Sequence, residues 1–368
     1  MLRFWPVKRN PVKRPTPIIS GLDRCPPEIC EYIFSFACTD DGTTARSLSL
    51  VSRYIYQTST IYRYQTISVM GVDKMLSLCV ALEKTPLPRR PVRHLFATHH
   101  KIPANASSRP LSRRFTVDLI YGKSSLTQMA TSIKDKHEEP TNLQTFRAVV
   151  RLLGLVSSTL ETLTIVMPSK TQGFAIPLPL HRLTALTELS IYGMFGSHTA
   201  WIPELSYTLP KLQRLHIAGP DTNQYQTPWL VRLAPALTHL RLTGVEGGRG
   251  VHIPSILEDI LALPHSPHNY FPSKPYPRHP AIERIIVQYR IPPLRLQSDF
   301  EHSLFLGSLV VLQSIINEYA HDDVVALKPQ LWHDDTRRQV MEAKELWVSR
   351  VQGGLGCWDE GDQMDLHI

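Results

Sequence analysis

The chain has 368 residues, which suggests about two domains, and 42% of them are hydrophobic, so it can bury a sizeable core and is not a disordered chain. A net charge of +8 leaves nucleic acid or an acidic partner open. Five cysteines without a framework spacing point to a reducing compartment, and the longest apolar run, "LFLGSLVVLQSII", is broken by Gly307, Ser308, Gln313 and Ser314, which argues against a transmembrane helix.

Residues 1–20 read as a flexible basic arm. "PVKR" occurs at 6–9 and again at 11–14, and no apolar segment of a secretory signal follows. Residues 21–69 read as a small helical module. In "CPPEICEYIFSFA" (25–37), Glu28, Glu31 and Ser35 form one polar stripe, while Ile29, Cys30, Tyr32, Ile33, Phe34, Phe36 and Ala37 cover the rest. That is more apolar surface than one neighbour covers. Asp40, Asp41 and Gly42 supply a turn, and Thr43 or Thr44 can cap a second helix carrying Ala45, Leu48, Val51 and Ile55 on one face. A third helical segment is expected over "YQTSTIYRY" and a strand over "TISV" (66–69).

Residues 70–158 read as a linker leading into a repeat region, with an insertion. Met75, Leu76, Cys79 and Leu82 predict a helix over 72–82, and "VRHLFAT" (92–98) predicts a strand. A polar connector over 99–142 follows. Leu143, Phe146, Val149, Val150, Leu153 and Val156 then predict a helix over 143–157. Lys84, Arg89, Arg90, Arg93, Lys101, Arg109, Arg113 and Arg114 lie in a stretch with no acidic residue. Prolines interrupt it, so it reads as a solvated connector, with a basic patch as the alternative.

Between 159 and 299 one template, L-x-x-L-x-[IL], recurs in "LETLTIV", "LTELSIY", "LQRLHIA" and "LTHLRLT", with starts 26, 26 and 25 residues apart. A weaker copy, "IERIIVQ", follows a longer step that contains a proline-rich loop at 264–280. A near-constant period with one short strand per unit is the signature of a stacked solenoid with a parallel sheet. The spacing resembles leucine-rich repeats, but the asparagine ladder of that family is missing. The strands run instead into Gly193, Gly219 and Gly244, so glycine geometry must close the turns. Residues 300–352 read as a C-terminal cap: a helix, a strand "DVVAL", and a helix carrying Val340, Met341, Ala343, Lys344, Leu346, Trp347 and Val351. Residues 353–368 read as a tail.

No catalytic constellation emerges. His99, His100, His265, His268 and His279 lack partners at metal-ligand spacing, and the two "HDD" runs (321–323, 333–335) read as helix caps. Cys25, Cys30 and Cys38 read as small core hydrophobes. No enzyme activity, metal or cofactor is expected.

Residues 25–64 resemble an F-box. The family pattern L-P-x-E-[LI]-[LI]-x-x-I-[FL] is met by Cys25-Pro26-Pro27-Glu28-Ile29-Cys30-Glu31-Tyr32-Ile33-Phe34, with Cys25 at the leading leucine. Its second block, L-V-[SC]-[RK]-x-W, is met by Leu50-Val51-Ser52-Arg53-Tyr54-Ile55, with Ile55 at the tryptophan. The resemblance implies an α/β repeat protein of fungal F-box type: a three-helix F-box-like module followed by an irregular leucine-rich-repeat solenoid. It further implies docking on a Skp-type adaptor, and through it a cullin, by Pro26, Ile29, Ile33, Phe34, Leu48, Leu50 and Val51. The repeats would hold a substrate protein inside the cell, in cytoplasm or nucleus. Thr162, Thr164, Glu188, Ser190, Arg214, His216, His239 and Arg241 alternate with the repeat leucines and are the expected substrate face. Neither a membrane nor nucleic acid is expected as a partner. A leucine-rich interaction scaffold without a ubiquitin role is the alternative.

Overall fold

The computed structural model describes residues 21–102, 142–167, 183–193, 209–219, 226–246, 253–263, 278–291, 299–319, 323–331 and 335–361. The basic arm, Arg109, Arg113, Arg114, His265, His268 and most of the proline-rich loop lie outside those residues.

The chain opens with three short helices. Helix α1 (Pro27–Ala37) starts at a proline, whose missing N–H is no loss in a first turn, and carries Glu28 near its positive end. Its i, i+4 pair Cys30 and Phe34 meets Cys38, Ala45 and Ile55 in a closed core. The expected second helix is two: α2 (Thr43–Leu48) and α3 (Arg53–Ser59). Ser52 causes the break by turning extended and accepting the Ile55 N–H at 3.2 Å. Neither Thr43 nor Thr44 caps α2. The Asp40 carboxylate does so from outside, accepting from the Gly42 and Thr44 N–H groups at 2.9 Å.

An eight-stranded, wholly parallel sheet follows, its strands lying side by side in sequence order. They are β1 (Thr66–Met70), β2 (His94–Thr98), β3 (Thr162–Met167), β4 (Glu188–Gly193), β5 (Arg214–Ala218), β6 (His239–Glu246), β7 (Arg284–Ile291) and β8 (Val324–Leu331). The template repeats are in register. Leu95, Leu163, Leu189, Leu215, Leu240 and Ile285 form one row across six strands, and Ala97, Ile165, Ile191, Ile217, Leu242 and Val287 form another. The sheet therefore extends beyond the template copies, with β1 and β2 before them and β8 after them.

Both rows face one core. Behind them pack α4 (Val72–Lys84), α5 (Asn142–Val156), α6 (Gln226–Arg232), α7 (Ile253–Leu261) and α8 (Asp299–Tyr319). Of the predicted α4 stripe, Met75, Cys79 and Leu82 are buried and Leu76 is exposed.

At the starts of β2 to β7 one carbonyl serves two donors. Glu161 O accepts from Thr187 and Glu188, Thr187 O from Gln213 and Arg214, and Gln213 O from Thr238 and His239. Thr187 and Thr238 add their hydroxyls to the same carbonyls. At the other end Gly193, Gly219 and Gly244 all take positive φ (104°, 151° and 69°), which only glycine adopts without strain. A Cβ on Gly219 would also sit 3.4 Å from the Gly193 nitrogen of the neighbouring turn.

The last helix, α9 (Thr336–Val351), departs from expectation. Instead of closing the end of the sheet it crosses the second face, laying Val340, Ala343 and Trp347 on Phe96 and Val166 of β2 and β3. Its N-cap is Asp335, the final residue of the second "HDD" run, which accepts the Arg337 N–H at 2.9 Å. A 3-10 turn, Gly356–Trp358, continues over β7 and β8, where Trp358 and Cys357 cluster with Ile286, Val325 and Leu327. The result is three layers: helices, sheet, and a C-terminal roof. No helix among the described residues is long and apolar enough to cross a membrane.

Candidate functional site

Two surfaces were expected to bind partners, and the chain treats them differently. In the helical module, the buried side of α1 leaves a strip on its outer side. Ile29, Tyr32, Ile33 and Phe36 follow the 3–4 spacing that makes neighbours along a helix, and all are exposed, Phe36 by 64%. The Tyr32 and Phe36 rings meet edge to face at 5.0 Å. Leu50 (86% exposed) and Val51 stand in the turn between α2 and α3. Half of the exposed large hydrophobic side chains among the described residues belong to this module.

Of the expected adaptor residues, Pro26, Ile29, Ile33, Leu50 and Val51 are therefore exposed, and Leu48 is half-buried against the module core. Phe34 is corrected. At 1% exposure it is the core itself, because it lies four residues after Cys30 on the inner side of α1. Tyr32 and Phe36 belong to the strip but were not among the expected residues. Their position on the helical wheel beside Ile29 and Ile33 is the signal that finds them.

The expected substrate face lies under the roof. Thr164, Glu188, Ser190, His216 and Arg241 are buried, and only Thr162, Arg214 and His239 remain half-exposed. Glu188 shows why. Its carboxylate takes the Arg350 guanidinium of α9 on Oε2 at 2.8 Å and the Trp358 indole N–H on Oε1 at 3.0 Å. Arg241 donates to the backbone carbonyls of Cys357 and Asp359, and Arg284 makes a two-pronged pair with Glu360 at 2.7 Å. Thr162 meets His94 Nδ1 at 3.0 Å, and His216 Nε2 meets Thr243 Oγ1 at 2.8 Å. The alternation that predicted a solvent-facing row holds, but the chain covers that row itself.

Electrostatics follow from the burial. Burial and the Arg241 charge hold His216 well below the ordinary imidazole value, and burial with Arg93 lowers His94 to about 4. Both are neutral near pH 7. Burial, reinforced by Glu188, pushes the Cys357 thiol up to about 12, and burial with Asp40 raises Cys38 to about 11, so neither is a nucleophile near neutrality. No group of three or more His, Cys, Asp or Glu side chains among the described residues is arranged to hold a metal ion.

Several members of the basic run are already engaged. Lys101 pairs with Asp73 at 2.5 Å, Arg93 with Glu161 at 3.7 Å, and Arg90 donates to the Leu82 carbonyl. The His99 and His100 rings lie 3.8 Å apart, tilted by 43°, with His99 Nδ1 against the Met167 sulfur. His279 bonds the Ala234 carbonyl at 3.0 Å.

No family model, no curated protein and no solved structure matches this chain.

Proposed function

We propose that the chain is a substrate-recognition adaptor of an Skp–cullin–F-box ubiquitin ligase. The helical module would dock on the Skp adaptor, and the sheet region, read as a degenerate leucine-rich-repeat solenoid, would present a client protein. Such an adaptor has no active site. It works inside the cell by proximity, holding a client's lysines near a conjugating enzyme.

One observation carries the reading. The module keeps Ile29, Tyr32, Ile33, Phe36, Leu50 and Val51 in water although its own core of Cys30, Phe34, Cys38, Ala45 and Ile55 is complete. The excess is therefore not needed for the fold. Full burial of such a side chain is worth about 1.5–3 kcal/mol. Six half-exposed ones thus supply on the order of 5–9 kcal/mol before the cost of association, enough for a useful protein contact.

The test is capture of a purified Skp-type adaptor by wild type and by the double variant Ile33→Asp/Leu50→Asp, with unfolding curves run in parallel. Wild type is expected to capture the adaptor and the variant to lose at least tenfold in affinity with an unchanged melt. Adaptor capture that survives both charges in a folded variant would sink the docking reading and favour a scaffold without a ubiquitin role.

A further inference from the structure

The roof has two parts that are held in different ways. Helix α9 lies on Phe96 and Val166 through Val340, Ala343 and Trp347. Cys357 and Trp358, in the strap that follows it (residues 353–361), belong to a separate apolar cluster with Ile286, Val325 and Leu327. The strap leaves the helix at Gly353, which takes a positive φ of 91°, and its Leu355 stays 62% exposed. Gly356 also has positive φ (58°), and a Cβ there would lie 2.7 Å from the Leu346 carbonyl oxygen of α9. Lifting the strap therefore leaves the cluster under α9 in place.

The seat of the strap is built like a peptide site. Trp358 is the anchor, with its indole N–H on Glu188 Oε1 and its rings edge-on to His216 and His239 at 6.4 and 6.0 Å. Arg241 holds the main chain, donating to the carbonyls of Cys357 and Asp359. Arg284 takes the Glu360 carboxylate with two bonds of 2.7 Å. Strands β4 to β7 thus engage a tryptophan, a piece of main chain and a carboxylate two residues on, while Asp359 between them stays exposed. A desolvated aromatic anchor and a bidentate arginine–carboxylate pair are the contacts that dominate recognition between chains. Glu188, His216, His239 and Arg241, half of the expected client face, are engaged in this way.

We infer that the strap is an internal stand-in for a partner. In exchange for residues 357–360, the sheet face binds an acidic segment of another protein in which tryptophan is followed two residues later by a carboxylate. Releasing the strap strands no charge, because Glu188 keeps Arg350 while Arg241 and Arg284 open to water. The short tether holds the strap at an effective concentration on the order of millimolar, so a free segment binds the closed chain weakly and the opened chain well. Taking such segments to be the clients rests on the adaptor reading. The exchange itself does not, and its test contains no Skp adaptor.

Two fluorescent peptides serve as probes: residues 353–361 with Cys357→Ser, and an unrelated acidic peptide that keeps only the Trp-x-Glu spacing. Each is titrated into the full chain as wild type and as Trp358→Ala and Gly356→Ala, which dislodge the strap and leave its seat unaltered. Both variants are expected to bind both peptides at least tenfold more tightly than wild type. Peptides without the tryptophan or the carboxylate, and the double variant Trp358→Ala/Arg284→Gln, should each lose at least tenfold. In wild type, peptide at saturation should speed hydrogen exchange in residues 356–361 and leave α9 unchanged, which a purely structural clasp would not allow. Four results would each overturn the inference: no displacement of the wild-type strap, affinity indifferent to the peptide's tryptophan, binding of the chain's own peptide alone, or loss of the fold in both variants. A wild-type dimer that the peptides dissolve would make a second copy of the chain the occupant and would overturn it as well.

Discussion

The helical module and the second face of the sheet make an instructive pair. The module's core needs few side chains, closes on itself, and leaves large apolar groups such as Tyr32, Phe36 and Leu50 outside. The sheet face does the reverse: it takes polar and charged side chains, Glu188, His216 and Arg241 among them, and buries them under the last helix. Exposed hydrophobic groups that the fold does not need leave an apolar patch free for contact. Buried polar groups require internal partners, and here the C-terminal segment supplies most of them.

The sharpest way to break that contrast lies on α1, where two phenylalanines stand two residues apart. Phe34→Ala empties the module core and is expected to cost about 3–5 kcal/mol. Phe36→Ala, on the outer strip, should change stability by less than about 0.5 kcal/mol. Urea unfolding measures both, and equal costs would erase the distinction between core and strip. A middle-sized effect belongs to the roof. Glu188→Gln removes the charge that meets Arg350 while keeping a hydrogen-bond acceptor for Trp358, and should cost about 1–3 kcal/mol in the same measurement. Hydrogen exchange should localise the loss to α9 and the turn after it.

The smallest effect tests the link between the two regions. Lys344 of α9 reaches Asp41 of the module at 2.8 Å. Burial pushes the Asp41 carboxyl up, but the hydrogen bonds from Lys344 and Thr43 and the charges of Lys344 and Arg46 outweigh it, and the group sits below the ordinary carboxylate value. A folded value below the unfolded one stabilises the fold above the unfolded pKa near 3.8 and is lost as pH falls through the folded value. The pair is partly buried, its side chains 18% and 28% exposed, and its worth is about 0.5–1 kcal/mol. Asp41→Asn should therefore melt slightly earlier than wild type at pH 7, and the gap should narrow as pH falls below about 3.8. A gap that persists at the acid end would show that the side chain acts through packing instead.

What could be read from residue order divides along physical lines. The rows Leu163–Leu189–Leu215–Leu240 and Ile165–Ile191–Ile217–Leu242 were legible because a parallel sheet in register demands the same apolar residue at the same step. The outer strip of α1 was legible because the helix is apolar nearly all round. The break between α2 and α3 was hidden, since Leu48, Val51 and Ile55 continue a helical period across it and only the Ser52 cap interrupts the backbone. The roof was hidden for a different reason. Glu188 and Ser190 alternate with leucines as solvent-facing residues do, and the groups that satisfy Glu188 come 162 and 170 residues later. Local pattern reports which face a side chain takes, but not what later covers that face.

The order in which the layers are made follows from that distance. Strands β1 to β3 are complete by Met167, whereas the helix that covers Phe96 and Val166 begins at Thr336. At ordinary translation speeds the ribosome needs roughly 10–30 s to synthesise the intervening stretch. Throughout that interval the nascent sheet presents an apolar face and unneutralised charges to solvent. A nascent-chain chaperone is therefore expected to hold it, and messages with a late premature stop should yield protein that aggregates instead of protein that merely lacks a tail.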